Sequence, residues 1–139
     1  MTAHTFIAYI ELAAQVVTST SFGAEDTLTI VGSTRRAHDR RTAKFAIDVP
    51  KMRMAFTGTG DLMAALLLAH LHRTPDRVTH AVEQAVASVQ AVLRVTAEHA
   101  GVDSEARGAE SMRLRELRLI QASSELLHPE VKCRARDLT

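Results

Sequence analysis

Apolar residues recur with a period of two in the first part of the chain and with a helical period in the middle, which predicts strands followed by helices. Residues 5–14 read as helical. Gln15 to Thr20 reads as a buried strand ending in hydroxyl residues. Residues 23–26 supply a turn, and Thr27-Leu28-Thr29-Ile30-Val31-Gly32 alternates as a strand does. Residues 44–49 predict another strand, bounded by Pro50. Residues 61–72 are apolar almost all round, which predicts a helix buried on most sides. Thr74-Pro75-Asp76 then reads as a stop and a fresh start, with Thr74 as N-cap and Pro75 at the first helical position. The next helix is expected over 75–100. Its apolar stripe is Val78, Val82, Ala85, Val89, Val92, Leu93 and Thr96, with Arg77, Glu83, Gln84 and Gln90 on the watered side. Gly101 ends it, and 102–111 reads as a polar surface loop. Arg115-Glu116-Leu117-Arg118-Leu119-Ile120 alternates as an outer strand would. Residues 122–139 read as a polar tail without a core pattern, and the chain contains no internal repeat.

Between the strands and the apolar helix stands Gly58-Thr59-Gly60-Asp61, the segment richest in chemistry. Its glycines free the backbone to turn sharply and to approach a ligand closely. The helix that follows would aim its unpaired N–H groups and partial positive charge at the turn, which suits a phosphate. Asp61 adds a carboxylate at the same point. Turn, anion hole and base together point to phosphoryl transfer. The plainer reading is that Asp is a favoured N-cap and Gly-Thr-Gly an ordinary strand-to-helix turn.

Composition narrows the alternatives. The chain has 139 residues, one domain's worth or part of a larger one, and 46% are hydrophobic, enough for a core. A net charge of +1 gives no global attraction to nucleic acid or an anionic membrane. Aromatic residues are only 4%, so the stacking platforms of single-stranded nucleic-acid sites are missing. The single cysteine, Cys133, excludes an internal disulfide framework and fits a reducing, cytoplasmic compartment. The longest apolar run, 62–69, is too short for a bilayer, which takes about 20 residues, and residues 6–17 lack the basic flank of a targeting signal.

Several side-chain groups carry two readings each. Arg35, Arg36, His38, Asp39, Arg40 and Arg41 form either a solvated hairpin tip or a flap over nucleotide phosphates. His70 and His72 stand two apart, so a helix turns them to different faces, and neither they nor His80 and His99 have companions at zinc spacing. Thr18, Ser19 and Thr20 either satisfy local backbone groups or donate to a phosphate or monovalent cation at the carboxyl edge of a sheet.

Taken in order, several segments resemble the pyridoxal kinases. They are Val16-Val17-Thr18-Ser19, Ile30-Val31-Gly32-Ser33 followed by arginines, and Phe56-Thr57-Gly58-Thr59-Gly60-Asp61-Leu62. Val92-Leu93, Glu116-Leu117-Arg118-Leu119-Ile120-Gln121 and Pro129-Glu130-Val131 complete the set. The Gly-Thr-Gly-Asp segment is shared with the wider ribokinase-like superfamily, and the later segments narrow the resemblance to pyridoxal kinase. It covers 16–131, preceded by a non-matching segment over 1–15 and followed by a polar tail over 132–139.

The resemblance implies an α/β fold, the C-terminal half of a ribokinase-like αβα sandwich with a few strands and two main helices. It implies ATP-dependent phosphorylation of the hydroxymethyl group of pyridoxal, pyridoxine or pyridoxamine. Asp61 would be the general base, and Gly58, Thr59 and Gly60 the anion hole. Thr18 and Ser19 would contact ATP phosphates, Thr18 also a monovalent cation (K+ or Na+), and Val49, Pro50, Lys51 and Met52 would line the adenine side. Mg2+ would accompany ATP, with its acidic ligands outside this chain, as are the segments that hold the B6 ring. The family's homodimer is the expected assembly. The alternative is a catalytically incomplete chain serving as a nucleotide-binding or interaction module.

Overall fold

The structure, a computed structural model, describes residues 6–10, 15–20, 26–35, 41–52, 54–101 and 113–138. Its described strands are β1 (Phe6–Ile10), β2 (Gln15–Thr20), β3 (Thr27–Arg35), β4 (Thr42–Pro50) and β5 (Arg136–Leu138). Its described helices are α1 (Thr59–Arg73), α2 (Val78–Ala100) and α3 (Ser123–Leu127). The strands form one antiparallel sheet in the order β1-β2-β3-β4-β5. Residues Phe6 to Ile10, expected to be helical, are instead a strand in register with β2, Phe6 opposite Ser19 and Ile10 opposite Gln15. Five residues bearing Phe, Ile and Tyr suit a pleated surface once a partner strand is present, and so short a segment has little helical stability of its own.

Alternation along β3 and β4 builds the core. Gly32, Ile30 and Leu28 stand opposite Phe45, Ile47 and Val49. Ile30, Phe45, Ile47 and Val49 are buried together with Met63, Leu67 and Leu71 of α1 and Val78, Val82, Ala85, Val86, Val89 and Leu93 of α2. A Cβ on Gly32 would stand 2.6 Å from two ring carbons of Phe45, so the ring lies over the bare backbone of its partner strand. On the other face, the Thr29 hydroxyl donates to Asp48 at 2.7 Å, and Arg136 of β5 donates to the same carboxylate at 3.2 Å.

The helices depart from expectation at their ends and faces. Helix α1 buries Met63, Leu67 and Leu71, whereas Leu68 is 59% exposed, so it is covered on one face and not on most sides. Thr74 closes α1 instead of opening α2: its hydroxyl donates to the His70 carbonyl at 3.0 Å, as does its N–H at 2.9 Å. Helix α2 accordingly starts at Val78, with Arg77 as N-cap. The predicted stripe is buried throughout, but so are Glu83, Ala87, Ser88 and Ala91 on the side expected to meet water. The reason lies in the last part of the chain, which packs on that side. The Ser88 hydroxyl donates to the Leu126 carbonyl at 3.1 Å, and Glu83 accepts from the Ala135 N–H at 2.8 Å.

The C-terminal segment is thus not a polar tail without core contacts. Ala122 is fully buried, Cys133 and Ala135 pack against the core, and Arg136–Leu138 pairs with β4. Nor do residues 115–120 form an outer strand. They make one parallel bridge, Thr57 with Glu116, and then pass into turns. Of the apolar side chains in that alternation only Leu117 packs against the core, while Leu119 and Ile120 are exposed, so the period-two pattern marks no buried strand face. The expected loop 102–111 lies outside the described residues, as do residues 36–40 of the basic loop.

Candidate functional site

The site is built at the junction where the sheet hands the chain to α1. Strands β2 and β4 both run antiparallel to β3, so they run parallel to each other and finish at one end of the sheet. Thr20 stands opposite Thr29 and Pro50 opposite Thr27 at that end. By register, Thr18 and Ser19 are opposite Val31 and Ile30. Val49 is buried, Pro50 and Lys51 are exposed, and Met52 is half-buried against the core. The Lys51 N–H donates to the Asp26 carbonyl at 2.8 Å, which ties the exit of β4 to the entry of β3.

From there the chain reaches Gly58, whose φ of 90° lies in the left-handed region. Its carbonyl accepts the first helical bond, from Leu62 N–H at 3.0 Å, so Thr59, Gly60 and Asp61 form the opening turn of α1. Among the described residues no side chain caps this end, which leaves the first amide donors directed at the turn without an acceptor from a cap. Asp61 is exposed in that turn, and among the described residues no side chain pairs with it. A carboxylate and an open row of N–H donors at one helix N-terminus can hold an anion and accept a proton beside it.

Sequence reasoning missed the support of this turn. The Thr57 N–H donates to the Arg115 carbonyl at 3.0 Å, and Leu117 Cδ1 is the nearest atom, at 3.9 Å, to where a Cβ on Gly58 would stand. Segment 115–118 therefore runs alongside the turn. The alternation of its residues gave only a strand signal, since contacts about 60 positions apart leave no local period to read.

Elsewhere, His70 is half-buried and His72 exposed. Burial pushes the His70 pKa below its ordinary 6.5, helped by the positive Arg73 and by His80. Among the described residues no group of three or more His, Cys, Asp or Glu side chains is arranged to hold a metal ion. A cleft of about 280 Å³ opens between α2 and the C-terminal segment, away from Gly58. Its Arg94 and Lys132 are offset by Glu125 and Glu130, so it favours no ligand charge. Among the described residues no helix is long and apolar enough to cross a membrane.

The sheet and helices form part of a ribokinase-like α/β fold, as the likeness to solved structures shows. Comparison with known proteins makes the relationship particular. The chain is 36% identical over 123 residues to a pyridoxal kinase of Arabidopsis thaliana and 32% identical over 111 residues to one of Homo sapiens. These matches take in 86% and 78% of this chain and 37% and 36% of the relatives. A solved pyridoxal kinase from Leishmania donovani in complex with ADP superimposes with a TM-score of 0.72 at 28% identity, over 87% of this chain and 38% of that one. The same enzyme in complex with ADP and pyridoxine gives a TM-score of 0.69 at 27% identity, over 84% and 36% of the two chains. No family model matches the sequence. In sequence and in fold the chain is a pyridoxal kinase relative, spanning little more than a third of the length of the relatives it matches.

Proposed function

We propose that the chain carries the phosphate-binding and proton-accepting part of a pyridoxal kinase site. The observation that carries this reading is the uncapped N-terminus of α1 behind left-handed Gly58, with exposed Asp61 in its first turn, in a chain 36% identical to a pyridoxal kinase. Gly58, Thr59 and Gly60 form the anion hole that binds the transferred phosphoryl group through the amide dipoles. Asp61 accepts the proton of the hydroxymethyl group of pyridoxal, pyridoxine or pyridoxamine as its oxygen attacks the γ-phosphorus. The bond to the β,γ-bridging oxygen breaks, and ADP leaves. Positioning and electrostatics supply most of the acceleration in such transfers.

Thr18 and Ser19 contact the ATP phosphates, with Thr18 near a monovalent cation, K+ or Na+. Val49 to Met52 border the adenine, at the same end of the sheet as Thr18 and Ser19. Mg2+ neutralises phosphate charge when bound with ATP. The described residues provide no ligand cluster for it, so no step is assigned to it on this chain. The complete kinase works as a homodimer in the cytoplasm. The second reading is a nucleotide-binding or interaction module without turnover of its own.

Isothermal titration with ATP and with pyridoxal, together with a turnover assay, separates the readings. Heat from ATP but not from pyridoxal, with no product, leaves the module. For the base, Asp61→Ala introduced at the matching position of a full-length relative should cut turnover by roughly 10²–10⁴-fold while sparing ATP binding. Unchanged turnover would remove Asp61 from that role.

A further inference from the structure

Helix α2 carries a threonine deep in the protein whose hydroxyl reaches outside its own helix. Thr96 is 1% exposed. Its hydroxyl donates to the Val92 carbonyl at 2.7 Å and accepts the Arg118 N–H at 3.1 Å. The first bond is local and common for helical threonines. The second joins residues 22 apart and uses the remaining capacity of the hydroxyl to anchor the segment beside Gly58.

That segment meets the turn at successive residues. Arg115 accepts the Thr57 N–H, Glu116 bridges Thr57, and Leu117 stands over Gly58. Among the described residues no side chain caps α1, and these backbone and packing contacts are the ones that flank left-handed Gly58. We propose that Thr96 is a positioning residue for the phosphate-binding turn, acting through Arg118 and Leu117 on Gly58 to Asp61. The inference rests on the reading of that turn as the phosphate site. Loss of the hydroxyl leaves the Arg118 N–H without its partner and releases the segment. The amide donors of α1 then lose their aim, and donor placement governs how well a phosphoryl group is held.

The test uses the full chain with Thr96→Val, which keeps the shape, and Thr96→Ser, which keeps the hydroxyl. Backbone amide resonances and ATP titration are the readouts. Thr96→Val should shift the amides of Thr57 and of Gly58 to Asp61 as well as that of Arg118, and weaken ATP binding roughly three- to tenfold. Thr96→Ser should restore both. Should Thr96→Val disturb only Arg118 and its helical neighbours, leaving Gly58 to Asp61 in place, the positioning role is overturned. Should the serine variant behave like valine, the hydroxyl is not the cause and the proposal again fails. Leu117→Ala guards against a valine variant that does not fold. It keeps the Thr96–Arg118 bond, and it should still move the Gly58 and Thr59 amides; stationary amides there count against the proposal. If the unaltered chain binds no ATP, the proposed function fails, while the amide shifts still decide the positioning.

Discussion

Glu83 Oε1 accepts the backbone N–H of Ala135 at 2.8 Å, joining the first half of α2 to the residue just before β5. Glu83 is 8% exposed, and its second oxygen accepts from Arg134 at 3.1 Å. A carboxylate buried this far is tolerated because both oxygens are satisfied. The contact ties Arg134 and Ala135 to α2.

Glu83→Ala should therefore cost about 1–3 kcal/mol, because the Ala135 N–H loses a charged acceptor in a part-buried place. Chemical denaturation measures the loss. Hydrogen exchange should quicken at Ala135 and along β5 while the β3–β4 pairing keeps its protection.

The Phe45 ring over Gly32 predicts a coupled pair. Gly32→Ala forces a methyl against Phe45 Cε1 and Cε2, for which the unshifted gap is 2.6 Å, and overpacking of this kind costs about 1–3 kcal/mol. Combined with Phe45→Leu, the alanine should cost clearly less than it does alone. Additive losses in a double-mutant cycle would show that the ring does not oppose the new methyl.

Gly58→Ala tests strain apart from crowding. The nearest neighbour of a Cβ there is 3.9 Å away, ordinary contact, so the expected loss comes from φ of 90°. It should be about 1–2 kcal/mol, with Gly58→Asn milder, since Asn visits the left-handed region more readily. ATP titration of the same variants reports whether the turn keeps its grip.

Acidification should weaken the fold in two successive windows. Burial, aided by Arg73 and His80, lowers the His70 pKa, so the unfolded chain takes up its proton first. The stability from neutral His70 is intact above about 6.5 and is lost as pH falls toward the lower folded value. The Asp48 pKa is lowered from 3.8, chiefly by the Thr29 hydroxyl and then by Arg136. Its contribution is present above that value and disappears as pH falls through the lower folded one. His70→Gln should flatten the first slope, and Thr29→Val should raise the Asp48 titration midpoint seen by NMR.

The strands β2, β3 and β4, the helix read over 61–72 and the buried stripe of α2 follow from local pattern. Each depends on residues two to four apart, and a period records which side of an element is apolar. Gly58-Thr59-Gly60-Asp61 was legible for the same reason, since a glycine turn before a helix is written in adjacent residues. Tertiary structure alone decided what those local signals are silent about. Phe6 to Ile10 becomes a strand because β2 offers it an edge. Glu83, Ser88 and Ala122 are buried because the C-terminal segment packs on α2. Residues 115–118 leave the strand pattern, with Arg115 accepting from the Thr57 N–H and the Arg118 N–H donating to Thr96. These outcomes are set by hydrogen bonds and packing between residues tens of positions apart, whose partners no local period encodes.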